Sequence, residues 1–240
     1  MSARSANTGS PPGAEMTSST PINQRSASLR ARFAAGEHVA KILHSQRSPR
    51  EIELIRSTYR VMARVGAQQL SLRQVAKEAG SVSAAGLVYH FGSKDNLLLE
   101  TMRWVLSRTV KRFEECFAGV DDPEEALEAF VGAVFVGPQA NRDFYLVYLD
   151  LIQYGARHPS FGGLTELLRE HSTESFAFVI RQGVEAGVFK VDDVDVAADR
   201  ARALVEGRFI QWLQDPNWKE THAALREDCH QALLTFLRAS

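Results

Sequence analysis

Cysteine is nearly missing from this 240-residue chain, which has only Cys116 and Cys229. Two distant thiols cannot form a disulfide framework or a cysteine-built zinc site, and such usage suits a reducing compartment. Long apolar runs are missing too, since nothing approaches the roughly 18–20 residues that a bilayer span requires. The N-terminal stretch MSARSANTGSPPGAE lacks the apolar core of a secretory signal. Together these absences predict a cytoplasmic chain without a membrane partner. Catalytic signatures are also lacking: there is no HExxH, GxSxG or P-loop, and no glycine-rich turn after a strand. His158 and His171 stand alone, and His222 and His230 with Cys229 lack the spacing of a metal site. No enzyme, cofactor or metal is therefore expected.

What is present describes an ordinary globular protein, 45% hydrophobic and 24% charged. Its net charge of −1 hides an asymmetry. Residues 1–112 carry 17 Lys and Arg against 7 Asp and Glu, whereas residues 113–240 carry 11 against 22. One half suits a polyanion and the other does not.

Residues 1–27 hold few large apolar side chains, too few to offset the entropy of ordering. Residues 1–45 therefore read as a disordered basic tail, with a short helix near 29–45 as its one candidate element. Beyond the boundary near RSPR at 47–50, sustained period-2 alternation is lacking and apolar residues recur at i, i+3, i+4 and i+7. Ile52, Ile55, Tyr59 and Met62 form one stripe that ends near Gly66. Leu72, Val75, Ala76 and Ala79 form a short second stripe, stopped by Gly80. A third helix is expected from Ser83 to about His90, and a long fourth from Ser93 to about Phe117. Asp121–Asp122–Pro123 opens a fifth. Later breaks fall at Pro138, His158–Pro159, Gly187 and Asp215–Pro216, giving an all-α fold of about nine helices.

Within this pattern, residues 70–98 carry the most information. Ser71 and Gln74 make a capping box that sets the start of a barely two-turn helix. A tight turn follows, and Ser83 is placed to cap a second helix of the same length. Helices this short must dock on neighbours. Ala76 permits a close crossing, while Leu87 and Phe91 face the shared core. The pair reads as a helix-turn-helix whose second helix fits a DNA major groove.

The sequence VAKEAG…VS…LVYHFGSKDNLL resembles the DNA-binding signature of the TetR family of bacterial transcriptional regulators. The matching residues are Val75–Ala76, Ala79–Gly80, Val82–Ser83, Leu87, Tyr89–His90–Phe91, Ser93–Lys94 and Leu97. Two departures bear on any base-by-base contact map: Ser81 inserts one residue in the turn, and Val88 replaces the first residue of the usual Tyr pair. The resemblance implies a three-helix DNA-binding domain over 46–93 and a helical ligand-binding and dimerisation domain over 94–240. It also implies that Ser71 and Arg73 position the DNA backbone. On chemical grounds Lys94, Tyr89 and His90 can donate to phosphates. The recognition face of Ser83, Ala84, Ala85 and Gly86 has few groups for bidentate base contacts. Readout then relies on thymine methyls, Arg73 and DNA shape. Arg25, Arg30, Arg32, Arg47 and Arg50 are candidates for an arm along phosphates, or simply a solvated basic tail.

In the acidic half, residues 140–216 resemble the C-terminal domain of the BetI-like TetR subgroup. Trp104, Phe130, Phe144, Tyr148 and Phe178 are the candidate lining of a ligand cavity between helices. Leu204, Val205, Phe209, Trp212, Leu225, Leu233, Phe236 and Leu237 are the candidate dimer interface, as the family's last two helices imply. The expected protein is a homodimeric repressor released by an unidentified small-molecule effector from a palindromic operator in double-stranded DNA. A constitutive DNA-binding or scaffold dimer and, further off, a helical enzyme are the alternatives.

Overall fold

The computed structural model describes residues 47–238. Among these residues there are nine helices and no strand, the all-α architecture expected from the periodicity. They are α1 (Pro49–Gln69), α2 (Leu72–Ala79), α3 (Ala84–Phe91), α4 (Lys94–Cys116), α5 (Pro123–Val134), α6 (Pro138–Arg157), α7 (Pro159–Glu185), α8 (Val194–Leu213) and α9 (Trp218–Arg238). The tail and the short helix expected within 1–45, with Arg25, Arg30 and Arg32, lie outside the described residues. Among the described residues no helix is long and apolar enough to cross a membrane.

Local chemistry accounts for most boundaries. Ser48 and Glu51 form a capping box at α1, and Ser71 and Gln74 form another at α2. Ser83, Ser93 and Asp122 accept backbone N–H bonds at the starts of α3, α4 and α5. The α2–α3 turn takes its left-handed residue from Gly80, at φ 68°. The inserted Ser81 is held by a hydrogen bond from Arg50 Nη2 to its carbonyl, at 2.6 Å. The longer turn is thereby tied to α1.

One boundary differs from expectation. The chain does leave helical geometry at Gly66 (φ 79°, ψ 157°), but it resumes for one more turn to Gln69. The amide of Ala67, freed by the kink, donates to Asp150 Oδ2 of α6 at 2.7 Å. A Cβ on Gly66 would lie 3.2 Å from the same oxygen. The carboxylate therefore occupies the notch that the missing side chain leaves.

Two cores share the molecule. The first gathers Leu54, Ile55, Met62, Val75, Leu87 and Phe91 of α1–α3 around Leu97, Leu98 and Met102 of α4. It continues into Val147 and Leu151 of α6 and Leu164 and Leu168 of α7, so α1–α3 are seated on the rest of the chain. The second core joins Phe130 and Val131 of α5, Phe176 and Ile180 of α7, Phe209 of α8 and Leu233 and Leu237 of α9. The packing corrects the expected dimer surface. Val205, Phe209, Trp212, Leu225, Leu233 and Leu237 are buried within this one subunit, and Leu204 and Phe236 are only partly exposed. The large apolar side chains of α8 and α9 close their own bundle. The outward face of α8 instead carries Ala203, Gly207 and Ile210, the last 43% exposed.

Candidate DNA-binding surface and effector cavity

At the α2–α3 end, the candidate contacts sort by exposure. Ser71, Arg73, Ser83, Ala85 and Tyr89 are exposed, and Ala84, Gly86, His90 and Lys94 are half-buried. Tyr89 is 87% exposed, its ring touching only the edge of His90 at 5.5 Å. Such exposure of a large aromatic side chain has no packing reason within the subunit. Gly86 differs, because a Cβ there would meet Val82 Cγ2 at 2.6 Å. Its lack of a side chain lets α3 close over the turn. Val88 was missed from the sequence, yet it is 43% exposed beside Ala85 and Tyr89 and extends the apolar strip on the presented face. Its i+3 spacing from Ala85 was the available signal.

Lys94 sits at the N-terminus of α4, where the free N–H groups and helix dipole suit an anion. Its ammonium donates to the carbonyl of Gln68, at the end of α1, at 3.3 Å. The side chain is thus held beside the presented face by an exposed hydrogen bond. The arm expected from Arg47 and Arg50 is corrected. Arg47 bonds Glu51 at 3.0 Å and the buried Glu100 at 2.9 Å, while Arg50 pairs with Glu53 at 2.8 Å as well as holding Ser81. Those charges are engaged within the fold.

At the other end a cavity opens among five helices. Its walls are Thr109, Arg112 and Phe113 of α4, Phe130 and Val134 of α5, and Phe144, Tyr145 and Tyr148 of α6. Leu168, Ser172 and Phe176 of α7 and Arg202, Val205 and Glu206 of α8 complete it. Aromatic walls with a few convergent polar groups are the lining of a small-molecule site. Phe130, Phe144 and Tyr148 are the expected residues that meet there. Trp104 and Phe178 lie outside it, which corrects that part of the expected lining. Trp104 packs against Tyr59, with ring centroids 5.8 Å apart, and Phe178 against Phe117 at 4.8 Å. Val205, expected at a dimer interface, faces the cavity. The polar lining was missed because Thr109, Arg112, Ser172, Arg202 and Glu206 look like ordinary solvent-side residues of amphipathic helices.

Within the cavity, Glu206 accepts from Arg202 at 2.6 Å and from the Tyr148 hydroxyl at 3.0 Å. Burial, followed by this carboxylate, pushes the Tyr148 hydroxyl well above its ordinary pKa. Outside it, His222 bonds Asn141 at 2.8 Å and His230 lies 3.2 Å from Glu128. Among the described residues no three His, Cys, Asp or Glu side chains are grouped to hold a metal ion. Burial raises the Cys116 thiol to about 12 and Cys229 to about 11, leaving both protonated at neutral pH.

Helix α6 connects the two ends. Phe144, Tyr145 and Tyr148 line the cavity, while Asp150 grips the Gly66 kink and the Tyr154 hydroxyl donates to Asp95 at the start of α4, at 2.9 Å. A helix-turn-helix with an exposed second helix, seated on a helical body that encloses a cavity, defines a DNA-binding regulator. Residues 54–101 match the bacterial regulatory proteins of the tetR family, and residues 123–238 match the C-terminal domain of BetI-type transcriptional repressors. The chain belongs to the TetR family. It is 29% identical over 154 residues to the transcriptional repressor KstR2 of Rhodococcus jostii, covering 64% of this chain and 74% of that protein. Identity to the transcriptional regulator BetI of Brucella anthropi is 24% over 162 residues, or 68% of this chain and 80% of that one. A transcriptional regulator from Saccharomonospora viridis, solved in complex with choline, superposes with a TM-score of 0.70 at 26% identity. That match covers 75% of this chain and 93% of the other.

Proposed function

We propose that the protein is a homodimeric repressor that binds a palindromic operator through α2 and α3 and is released when a small molecule enters the cavity. The observation that carries this reading is the double attachment of the DNA-binding helices to cavity-lining helices. Arg112 and Phe113 on α4 line the cavity and Lys94 begins the same helix, ~27 Å away at 1.5 Å per residue. Helix α6 runs alongside and holds Gly66 through Asp150. A ligand that displaces either helix shifts α1–α3 as a body and alters the spacing of the two recognition helices in a dimer. Release requires only that ligand and DNA favour different spacings.

The dimer is assigned to the outward faces of α8 and α9, where Ala203 and Gly207 allow close approach and Ile210 supplies apolar contact. DNA contacts are assigned to Ser71, Arg73, Ser83, Ala85, Val88, Tyr89, His90 and Lys94. The domain division follows the 93/94 junction in function, although the first core crosses it. A cytoplasmic location fits a DNA-binding regulator. The test is selection of duplexes from a random pool by the purified full chain, with the stoichiometry of the complex measured by light scattering. Enrichment of an inverted repeat bound by chains in even number is the expected result. A direct repeat, or one chain per site, contradicts the dimeric reading.

A further inference from the structure

The charges lining the cavity do not balance. Glu206 is engaged by Arg202 and Tyr148, so that pair is locally neutral. Arg112 has no such partner: among the described residues no carboxylate lies within ion-pair distance of its guanidinium. Its Nε is buried without a hydrogen bond, and Arg108 on the same helix, of the same sign, acts against its charge. Its guanidinium carbon lies 5.7 Å from the centre of the Phe113 ring. Desolvation, and after it Arg108, hold this guanidinium below the usual arginine range. A half-buried arginine without a counter-ion is costly unless an anion completes it. Guanidinium geometry suits a bidentate carboxylate.

The space next to Arg112 indicates the rest of the molecule. A second, narrow recess shares Phe144, Tyr148 and Leu168 with the cavity, and its other walls are Met102, Val105, Leu106, Leu151 and Leu164. These are all apolar. The recess runs between α4, α6 and α7, toward the α1–α3 end.

We infer that the effector is an amphipathic organic anion, its carboxylate held by Arg112 and its apolar body laid into the recess between α4 and α6. This inference rests on the reading of the cavity as the effector site and specifies its ligand. The choline bound by the Saccharomonospora viridis protein carries the opposite charge. A quaternary ammonium in this cavity would face Arg112 and find Glu206 already neutralised.

The test compares three probes sharing a ten-carbon chain: decanoate, decanol and decyltrimethylammonium, at sub-millimolar concentration, by calorimetric titration of the full-length protein. Decanoate is expected to bind roughly tenfold to a hundredfold more tightly than the other two, as a charge-assisted bidentate contact would give. Hexanoate is expected to bind at least roughly tenfold more weakly than decanoate, through lost apolar burial. R112Q should bring decanoate to the affinity of decanol while decanol itself is little changed, and R112K should restore part of the preference. Because the wild-type comparison needs no variant, a misfolded R112Q would not obscure the result. Equal or tighter binding of decyltrimethylammonium overturns the inference, as does failure of every probe to bind. Binding of decanoate without DNA release would leave the ligand class standing and contradict the repressor mechanism. Release by the ammonium probe alone would do the reverse.

Discussion

Replacing Tyr89 by Ala should weaken operator binding by roughly thirtyfold to a hundredfold while leaving the melting transition unchanged. Tyr89 is 87% exposed and contributes almost nothing to either core, so truncation removes little folded-state packing. Two copies act in a dimer, and one lost contact to a charged phosphate in each half-site amounts to ~2–3 kcal/mol in all. Lys94→Ala should behave differently. It removes a positive charge from each half-site, so the slope of log affinity against log salt should flatten by about two. It should also loosen the end of α1, because Lys94 bonds the Gln68 carbonyl. Binding titrations at several salt concentrations separate the two variants. If Tyr89→Ala binds like wild type, α3 does not enter the groove as assigned.

The second large effect is expected at Asp150. Its carboxylate accepts the Ala67 amide where α1 breaks at Gly66, and α6 carries it from a segment that lines the cavity. Asp150→Ala leaves that amide without a partner, at a cost of about 1–3 kcal/mol in stability. The larger consequence is for communication between the sites. Effector coupling in allosteric proteins commonly changes affinity by roughly 5–150-fold. In Asp150→Ala the factor by which decanoate lowers DNA affinity should fall below about threefold, with the decanoate affinity itself retained. Asp150→Asn, which keeps an acceptor oxygen, should preserve more of the coupling. Full coupling in Asp150→Ala would assign communication to α4 alone.

The exposed place of Tyr89 on the second short helix was legible in the sequence, and the link made by Asp150 was not. The position of Tyr89 follows from local rules that govern the helix-turn-helix. Ser71 with Gln74, then Gly80 and Ser83, set two short helices and their turn from adjacent residues alone. The start at Asp122–Pro123 followed from the same capping chemistry. Asp150 was not legible, because its partner lies 83 residues away and the kink reads locally as a helix end. The cavity was half legible for a related reason. Aromatic residues announce burial but not which space they border, so Phe130 and Phe144 fell on the cavity wall while Phe178 fell in the core beside Phe117. Polar lining residues give no periodic signal that separates them from a solvated face. The apolar residues of α8 and α9 indicated burial correctly, but composition cannot tell a subunit's own core from an interface.

The opposed charges of the two halves now have a structural setting. The basic segment contains the presented helix and ends at Arg112 on the cavity wall, while the acidic segment supplies most of the other walls.

Filling this cavity is expected to loosen the grip on DNA. Fluorescence anisotropy of a labelled, selected operator duplex, held by the full-length protein and titrated with decanoate, tests that directly. The operator dissociation constant is expected to rise at least about fivefold as the cavity saturates. An unchanged operator affinity, with calorimetry showing the same site filled, would contradict it.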